Sequence, residues 1–501
     1  MPDEPEDEEL DEPTPAQPRR CEAPPKQGVA TPDFSHVERF AEAVLERRGL
    51  SSVAVAVARD GEILWERGFG WVDRRRQVRA DEHTMYSLAS VSKPFTATAI
   101  MVLREQGKLR LEQPIDELLP PPGLRAGAGD PADATIRRVA SHTAGLPLHH
   151  QFYYEGEASP PPAAVTRERY AVLVSAPGEQ YRYSNLGFGL LGEVVARQGG
   201  GDFASVMRTL VLDPLELRHT FVGHPPRAAG VTAIRHDEGG RALPDYGFDH
   251  DGASAFYSSA HDLVRFGMFH LGHAPPEHQA LLSPEARALM HEPVPPADDY
   301  GLGWGLGRDD AVARVSHGGG MPGVAAAIRM FPEQGVVVVV LFDSNAVDGA
   351  HVKIANMIED AVGLPARADD LCALSAESPW LGTWEGQVET IAGPRPLTLQ
   401  LRPTGEITAQ LGDTAPASVR QAKLVDGILR GWFIGDAAAE RSDETRGFLA
   451  LELRLRDETR LDGGLTARVP GDVSATTAFV ALQRAGAQRP RQGRPRAASA
   501  D

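Results

Sequence analysis

Apolar positions along the chain fall into two periods. From Ser35 to Arg48, Val37, Phe40, Ala41, Val44 and Leu45 recur at helical spacing, Ser35 and Glu38 form a capping box, and Gly49 ends the run. Period two takes over in VAVAVA (Val53–Ala58), followed by Asp60-Gly61 and ILWERGFG, the pattern of a hairpin. The stretch YSLASVSKPFTATAIMVLREQGKL, Tyr86 to Leu109, then leads a serine-rich patch into an apolar helix that stops at Gly107. Between residues 110 and 290 the chain reads as helices and proline-rich loops, with a helix over Leu186–Gly200. AAAIRMF (Ala325–Phe331), a turn at Pro332–Gly335 and VVVVVLF (Val336–Phe342) make a second hairpin. Its unbroken valines predict a strand buried on both faces. Helical spacing returns over Val352–Val362.

The order helix, strands, helical middle, strands, helix predicts an α+β fold. Strands from both ends would form one antiparallel sheet, and the helical middle a second layer. A site is expected in the cleft between them. After residue 375 the pattern changes to short alternating strands with turn signals: LTLQLRP, EITAQL, ILRGWFI after Asp426-Gly427, and LALELRLR. These predict a separate small antiparallel β-barrel or sandwich. The expected organisation is an acidic tail at 1–32, a catalytic-type domain at 33–370, the barrel at 375–482 and an arginine-rich tail at 483–501.

Charge changes this picture only at the ends. Of the net charge of −18, eight negative charges sit in residues 1–12, so the remainder carries −10. Such a balance argues against nucleic acid as the main partner. Both tails are too polar to bury apolar surface that would offset their ordering entropy, and they are expected to be disordered. No apolar run is long enough to span a membrane, and no secretory signal is visible. A cytoplasmic protein is expected, with export open if the start is misassigned. Cys21 and Cys372 are the only cysteines, and neither a disulfide nor a metal pattern follows from them.

Candidate chemistry begins at Ser90-Val91-Ser92-Lys93. At a helix start, Ser90 and Lys93 lie one turn apart on one face. A serine hydroxyl needs a neighbour to take its proton, and a buried lysine of lowered pKa can do so. Taken alone, S-x-x-K is as readily a helix cap. Two further segments matter. Tyr183-Ser184-Asn185 precedes a helix, where a tyrosinate could share the Ser90 proton and Asn185 could hold Lys93 or a substrate amide. His317-Gly318-Gly319-Gly320 precedes the valine-rich hairpin, where glycines let a substrate lie along a strand edge and a backbone N–H polarise a carbonyl.

In the order S-x-x-K, Y-x-N, H-G-G, these segments resemble the serine β-lactamase and penicillin-binding protein superfamily, near its class C β-lactamase and esterase branch. The flanks ATIRRVASHTAGLP, PGEQYRYSNLGFGLLG, DPLELRHT and HGGGMPGVAAAIRMFPEQGVVVVVLFDSN resemble it too, over residues 35–365. The resemblance implies Ser90 as acyl-accepting nucleophile, with Lys93 and Tyr183 handling its proton. It implies an oxyanion hole from the N–H groups of Ser90 and Gly320. Asn185 would position substrate and Lys93, and His317 and Gly319 would line the pocket. His317 stands where many lactamases have lysine, and Gly318 where they have a hydroxyl residue. That removes a fixed positive charge, which favours ester or peptide substrates over antibiotics.

Other patterns weigh less. Gly187-Phe188-Gly189-Leu190-Leu191-Gly192 fits G-x-G-x-x-G but lacks the preceding strand of a dinucleotide site, so helix packing is expected. His142, His149 and His150 cluster in sequence without a carboxylate at ligand spacing, so no metal is expected and no cofactor is implied. Three readings stay open: a serine esterase or D-amino-acid peptidase, or a β-lactamase; an acyltransferase of the nonribosomal peptide cyclase type, some of which pair such a domain with a C-terminal lipocalin-like barrel; and a non-catalytic ligand-binding protein. The substrate would be a small molecule or peptide; the oligomeric state is not fixed by the sequence.

Overall fold

The computed structural model describes residues 32–364 and 378–486, apart from 74–75, 157–158, 238, 310–311, 348, 391–392, 404–405, 426–427, 437–445 and 469–474. Almost all of the two expected tails, and both Cys21 and Cys372, lie outside the described residues. The described residues form two compact units, 32–364 and 378–486.

The first unit is built on a seven-stranded antiparallel sheet. Its strands are β1 (Ser52–Arg59), β2 (Glu62–Asp73), β3 (Val78–Arg79), β4 (Gly305–Asp309), β5 (Val312–Met321), β6 (Val324–Phe331) and β7 (Val336–Phe342). The spatial order is β3-β2-β1-β7-β6-β5-β4, so the two ends of the unit meet where β1 pairs with β7, Val55 opposite Val340. Asp60 and Gly61 both take positive φ, 50° and 92°, which is what a two-residue turn matched to the strand twist requires.

Both faces of β1 and β7 are buried. Val53, Val55, Val57, Val336, Val338 and Val340 pack with α1 (Ser35–Arg48) and the C-terminal helix of the unit (Ala350–Ala361). Ala54, Ala56, Ala58, Val337, Val339 and Leu341 face the helical layer. The small alanines let the helix Ala260–Leu271 come close: a Cβ on its Gly267 would lie 2.5 Å from Val337. One expectation fails locally. Helix α1 forms without the capping box, because Asp33 accepts the Ser35 N–H at 2.9 Å and Glu38 instead pairs with Arg67 on β2 at 2.6 Å.

Helix α2 (Ser92–Glu105) runs through the middle of this unit, with every residue from Ser92 to Leu103 buried. Helix α3 (Asn185–Gly199) packs on it. The glycines of Gly187–Gly192 are indeed packing sites: a Cβ would meet His250 Cβ at 2.9 Å from Gly189 and the Gly252 backbone at 3.3 Å from Gly192.

The second unit is a nine-stranded antiparallel sheet. It pairs its first strand, Gly382–Thr390, with its last, Ala475–Arg484. The strands Ile407–Leu411 and Ile428–Asp436 come into contact across the curl, so the sheet is nearly closed. Period two is visible in Leu449, Leu451 and Leu453, which are buried, while Ala450, Glu452 and Arg454 are exposed. Trp384 fills the interior and donates its indole N–H to the Trp380 carbonyl at 2.9 Å. The last strand reaches Arg484, whose guanidinium lies over Trp384 at 4.4 Å. Among the described residues, no helix is long and apolar enough to cross a membrane.

Candidate active site

Ser90 sits in a 3-10 turn, Ala89–Val91, that runs into α2. Ala89 has φ +48°, a conformation that strains a residue with a Cβ. The turn is held by neighbours rather than by Ser90. Ser92 donates its hydroxyl to the Ala89 carbonyl at 2.6 Å and accepts the Phe256 N–H at 3.1 Å. Of the two serines in the motif, Ser92 is buried and engaged in the scaffold, and Ser90 is half-exposed.

Lys93 is fully buried one turn further on. Its Nζ lies 3.1 Å from Ser90 Oγ, 2.8 Å from Asn185 Oδ1 and 3.2 Å from the Ala253 carbonyl. Burial pushes the amine well below its usual range. A neutral amine has two N–H groups and a lone pair. Two of its neighbours, Asn185 Oδ1 and the Ala253 carbonyl, can only accept, so the third position on Nζ faces Ser90 Oγ, as an N–H when the amine is protonated and as the lone pair when it is neutral.

Asn185 is the first residue of α3, and Ser184 caps that helix by accepting the Gly187 N–H at 2.9 Å. The cap fixes where the asparagine points. Its Nδ2 donates to the His149 carbonyl at 3.0 Å, which leaves Oδ1 toward Lys93. Burial raises the Tyr183 phenol well above its usual value, against the lowering influence of the neighbouring Ser90 hydroxyl. Lys93 Nζ lies 4.7 Å from the centre of the Tyr183 ring.

The third segment lies on β5, whose end crosses the Ser90 turn. A Cβ on Gly319 would sit 2.1 Å from the Leu88 carbonyl oxygen, so only glycine permits this crossing. A Cβ on Gly320 would meet nothing within 4 Å. His317 is buried, with Nδ1 2.8 Å from the Gly318 carbonyl and Nε2 2.9 Å from the Tyr300 hydroxyl. Burial, with Lys93 adding to it, lowers its pKa to about 3. Tyr300 was not among the sequence candidates. It stands in YGLGW, which carries no acid–base spacing, and only the fold brings it to His317.

The histidines of the helical layer separate. The His142 Nδ1 accepts the Ser184 N–H at 3.1 Å, and its ring lies 4.2 Å from that of Tyr183. His149 does gain a carboxylate, against the sequence expectation. Asp249, a hundred residues away, is 2.8 Å from both His149 Nε2 and His250 Nδ1, and accepts from Thr166 at 3.0 Å. Burial alone would raise the Asp249 carboxyl, but the bonds from His149 and His250 hold it well below the usual range. Spacing along the chain could not reveal this trio, because two packed loops form it.

Residues 37–361 match the family described as Beta-lactamase. Among curated proteins, Protein flp of Staphylococcus aureus (strain NCTC 8325 / PS 47) is 23% identical over 320 residues, 62% of this chain and 63% of its own length. The chain thus spans less than two thirds of that relative. Among solved structures, the octameric penicillin-binding protein homologue from Pyrococcus abyssi superposes with a TM-score of 0.58 at 19% identity, covering 89% of this chain and all of its own. SurE with D-Leu gives a TM-score of 0.57 at 22% identity, covering 90% of this chain and 98% of its own. At these identities the structural likeness speaks for the fold.

Proposed function

The chain belongs to the beta-lactamase family, a family of serine acyl-enzyme hydrolases and transferases, and from that premise we propose that it cleaves ester or D-amino-acid amide and peptide bonds through an acyl-enzyme on Ser90. The observation that carries this reading is the buried Lys93 amine, whose Nζ lies 3.1 Å from Ser90 Oγ and is held by two acceptors, Asn185 Oδ1 and the Ala253 carbonyl. Lys93 takes the Ser90 proton as Oγ attacks the substrate carbonyl. The carbonyl oxygen becomes an oxyanion, held by the N–H groups of Ser90 and Gly320. Tyr183, kept as a phenol by burial, gives its proton to the leaving group and recovers one from Lys93. Water then attacks the acyl-enzyme, its proton passing back through the same pair. Asn185 positions Lys93, and His317 and Gly319 shape the wall beside the scissile bond. A neutral His317 offers no fixed cation to a β-lactam carboxylate, which supports ester and peptide substrates over antibiotics.

The test is a panel of short-chain 4-nitrophenyl esters, D-alanyl amides and a chromogenic cephalosporin, run beside Ser90→Ala and with fluorophosphonate labelling. Turnover and labelling that vanish in Ser90→Ala support the reading. Labelling of Ser90→Ala equal to that of the parent, or none of the parent, overturns it in favour of a ligand-binding protein.

A second reading is acyl transfer to an amine. SurE, alike in fold over 90% of this chain, was solved with D-Leu, an amino acid whose amine is an acceptor of the kind this reading needs. A peptidyl thioester surrogate separates the two, since a cyclic product means transfer and a linear acid means hydrolysis.

A further inference from the structure

We infer that Tyr300 is a specificity-determining positioning residue: its hydroxyl, 2.9 Å from His317 Nε2, occupies the one imidazole nitrogen that the Gly318 carbonyl leaves free, so the site selects acyl donors that carry no carboxylate against this wall. The inference rests on the acyl-enzyme reading above and adds the charge class of the substrate.

The hydrogen-bond directions are forced. The Gly318 carbonyl can only accept, so His317 Nδ1 carries the proton. A neutral imidazole then has only a lone pair on Nε2, and the Tyr300 hydroxyl donates to it. Both ring nitrogens are thereby used inside the protein. Tyr300 is itself fixed. It is buried, its backbone bridges to Gly305, and its ring lies 4.8 Å from His142 and 5.8 Å from Tyr181. Burial raises its phenol well above 10, so it remains a donor over the whole working range.

The other titratable groups around His317 do not replace the missing cation. Lys93 on α2 is buried, which favours its neutral amine. His142 accepts from Ser184 on one nitrogen and is held neutral by burial. Tyr183 and Tyr181, which face Tyr300, are phenols raised by burial, Tyr181 to about 12. A carboxylate pressed here would lose its water and meet C–H groups and a hydroxyl whose proton is already given to Nε2. An uncharged ester or amide loses far less. Without the Tyr300 hydroxyl, Nε2 has lost its donor, and a carboxylate brought beside it would raise the imidazole pKa and pair with the imidazolium as pH falls.

Two matched pairs of substrates test this: 4-nitrophenyl methyl adipate against 4-nitrophenyl hydrogen adipate, and 3-(methoxycarbonyl)phenyl butyrate against 3-carboxyphenyl butyrate. The ratio of kcat/KM within each pair is followed from pH 8 to pH 5 in the full-length protein, in Tyr300→Phe and in Tyr300→Phe/His317→Gln. In the parent, each ratio favours the methyl ester at least tenfold and stays flat with pH. In Tyr300→Phe, the ratio of at least one pair falls several-fold as pH drops, and the double variant abolishes that fall. Ratios in Tyr300→Phe that track the parent at every pH overturn the inference. Stoichiometric fluorophosphonate labelling of Ser90 in the same samples shows whether the acyl-enzyme reading stands independently. A second measurement needs no variant. The 15N imidazole spectrum of the parent should show His317 protonated at Nδ1 only and unchanged between pH 5 and 8; a protonated Nε2 overturns the inference.

Discussion

Lys93 Nζ donates to Asn185 Oδ1 at 2.8 Å, across 92 positions of sequence. This bond joins two helix starts, and it places a neutral acceptor beside an amine that has to lose its proton to act as a base.

Replacing that acceptor by a charge tests the base. Asn185→Asp keeps the shape and puts a carboxylate next to Lys93, which favours the ammonium form. Because burial lowers the Lys93 pKa, activity rises as pH passes upward through it and the amine is released. Asn185→Asp should move the acidic limb of the kcat/KM profile on a 4-nitrophenyl ester to higher pH by about one unit or more. An unmoved limb removes Lys93 from the role of base.

Tyr183 is assigned the opposite half of the proton traffic, and its substitution should depend on the leaving group. Nitrophenolate departs without a proton, whereas an amine does not. Tyr183→Phe should therefore cost about 10²–10⁴-fold in kcat on a D-alanyl amide and much less on a 4-nitrophenyl ester. Equal losses on both would return Tyr183 to the role of base.

The two adjacent glycines of β5 should respond differently. Gly319→Ala drives a methyl group to 2.1 Å from the Leu88 carbonyl, and the strand has to move off the Ser90 turn. Destabilisation of about 1–3 kcal/mol is expected, with a loss of turnover. Gly320→Ala meets nothing within 4 Å and keeps its N–H, so its thermal midpoint should match the parent. A scanning calorimetry trace of each variant checks both.

Asp343 makes stability depend on pH. It follows β7, is fully buried, and accepts the Ser52 hydroxyl at 2.7 Å. Burial raises its carboxyl to about 7, against the bonds from Ser52. The folded value lies above the unfolded value of about 3.9. Its contribution is therefore complete below about pH 4 and is lost as pH rises through about 7. Asp343→Asn cannot ionise. Denaturant unfolding at pH 5 and pH 8 should show a fall in the parent, on the order of a few kcal/mol, that the variant lacks. Parallel curves would place the titration elsewhere.

Much of the fold was legible in the chain. Periods of two and 3.6 located the hairpins and the helices Ser35–Arg48, Ser92–Glu105, Asn185–Gly199 and Ala350–Ala361, because side-chain alternation is a local property of the backbone, while the other helices of the middle region were not placed. The capping box failed because two carboxylates near Ser35 compete for the same donor, and Asp33 is the nearer. Glu38 was left to reach a strand that local pattern does not describe.

The sequence by itself determined the local chemistry: a serine one helical turn from a lysine, a tyrosine two residues before an asparagine at a capped helix start, and glycines on a strand that has to run close to another backbone. Tertiary structure alone decided which of these groups are charged and where they point. The Ala253 carbonyl on Lys93, the Tyr300 hydroxyl on His317 and the Asp249 carboxylate between His149 and His250 all come from distant parts of the chain. Proton affinity depends on burial and on the donors and acceptors within hydrogen-bond reach, and both are set by packing between elements, which no spacing along a single chain records.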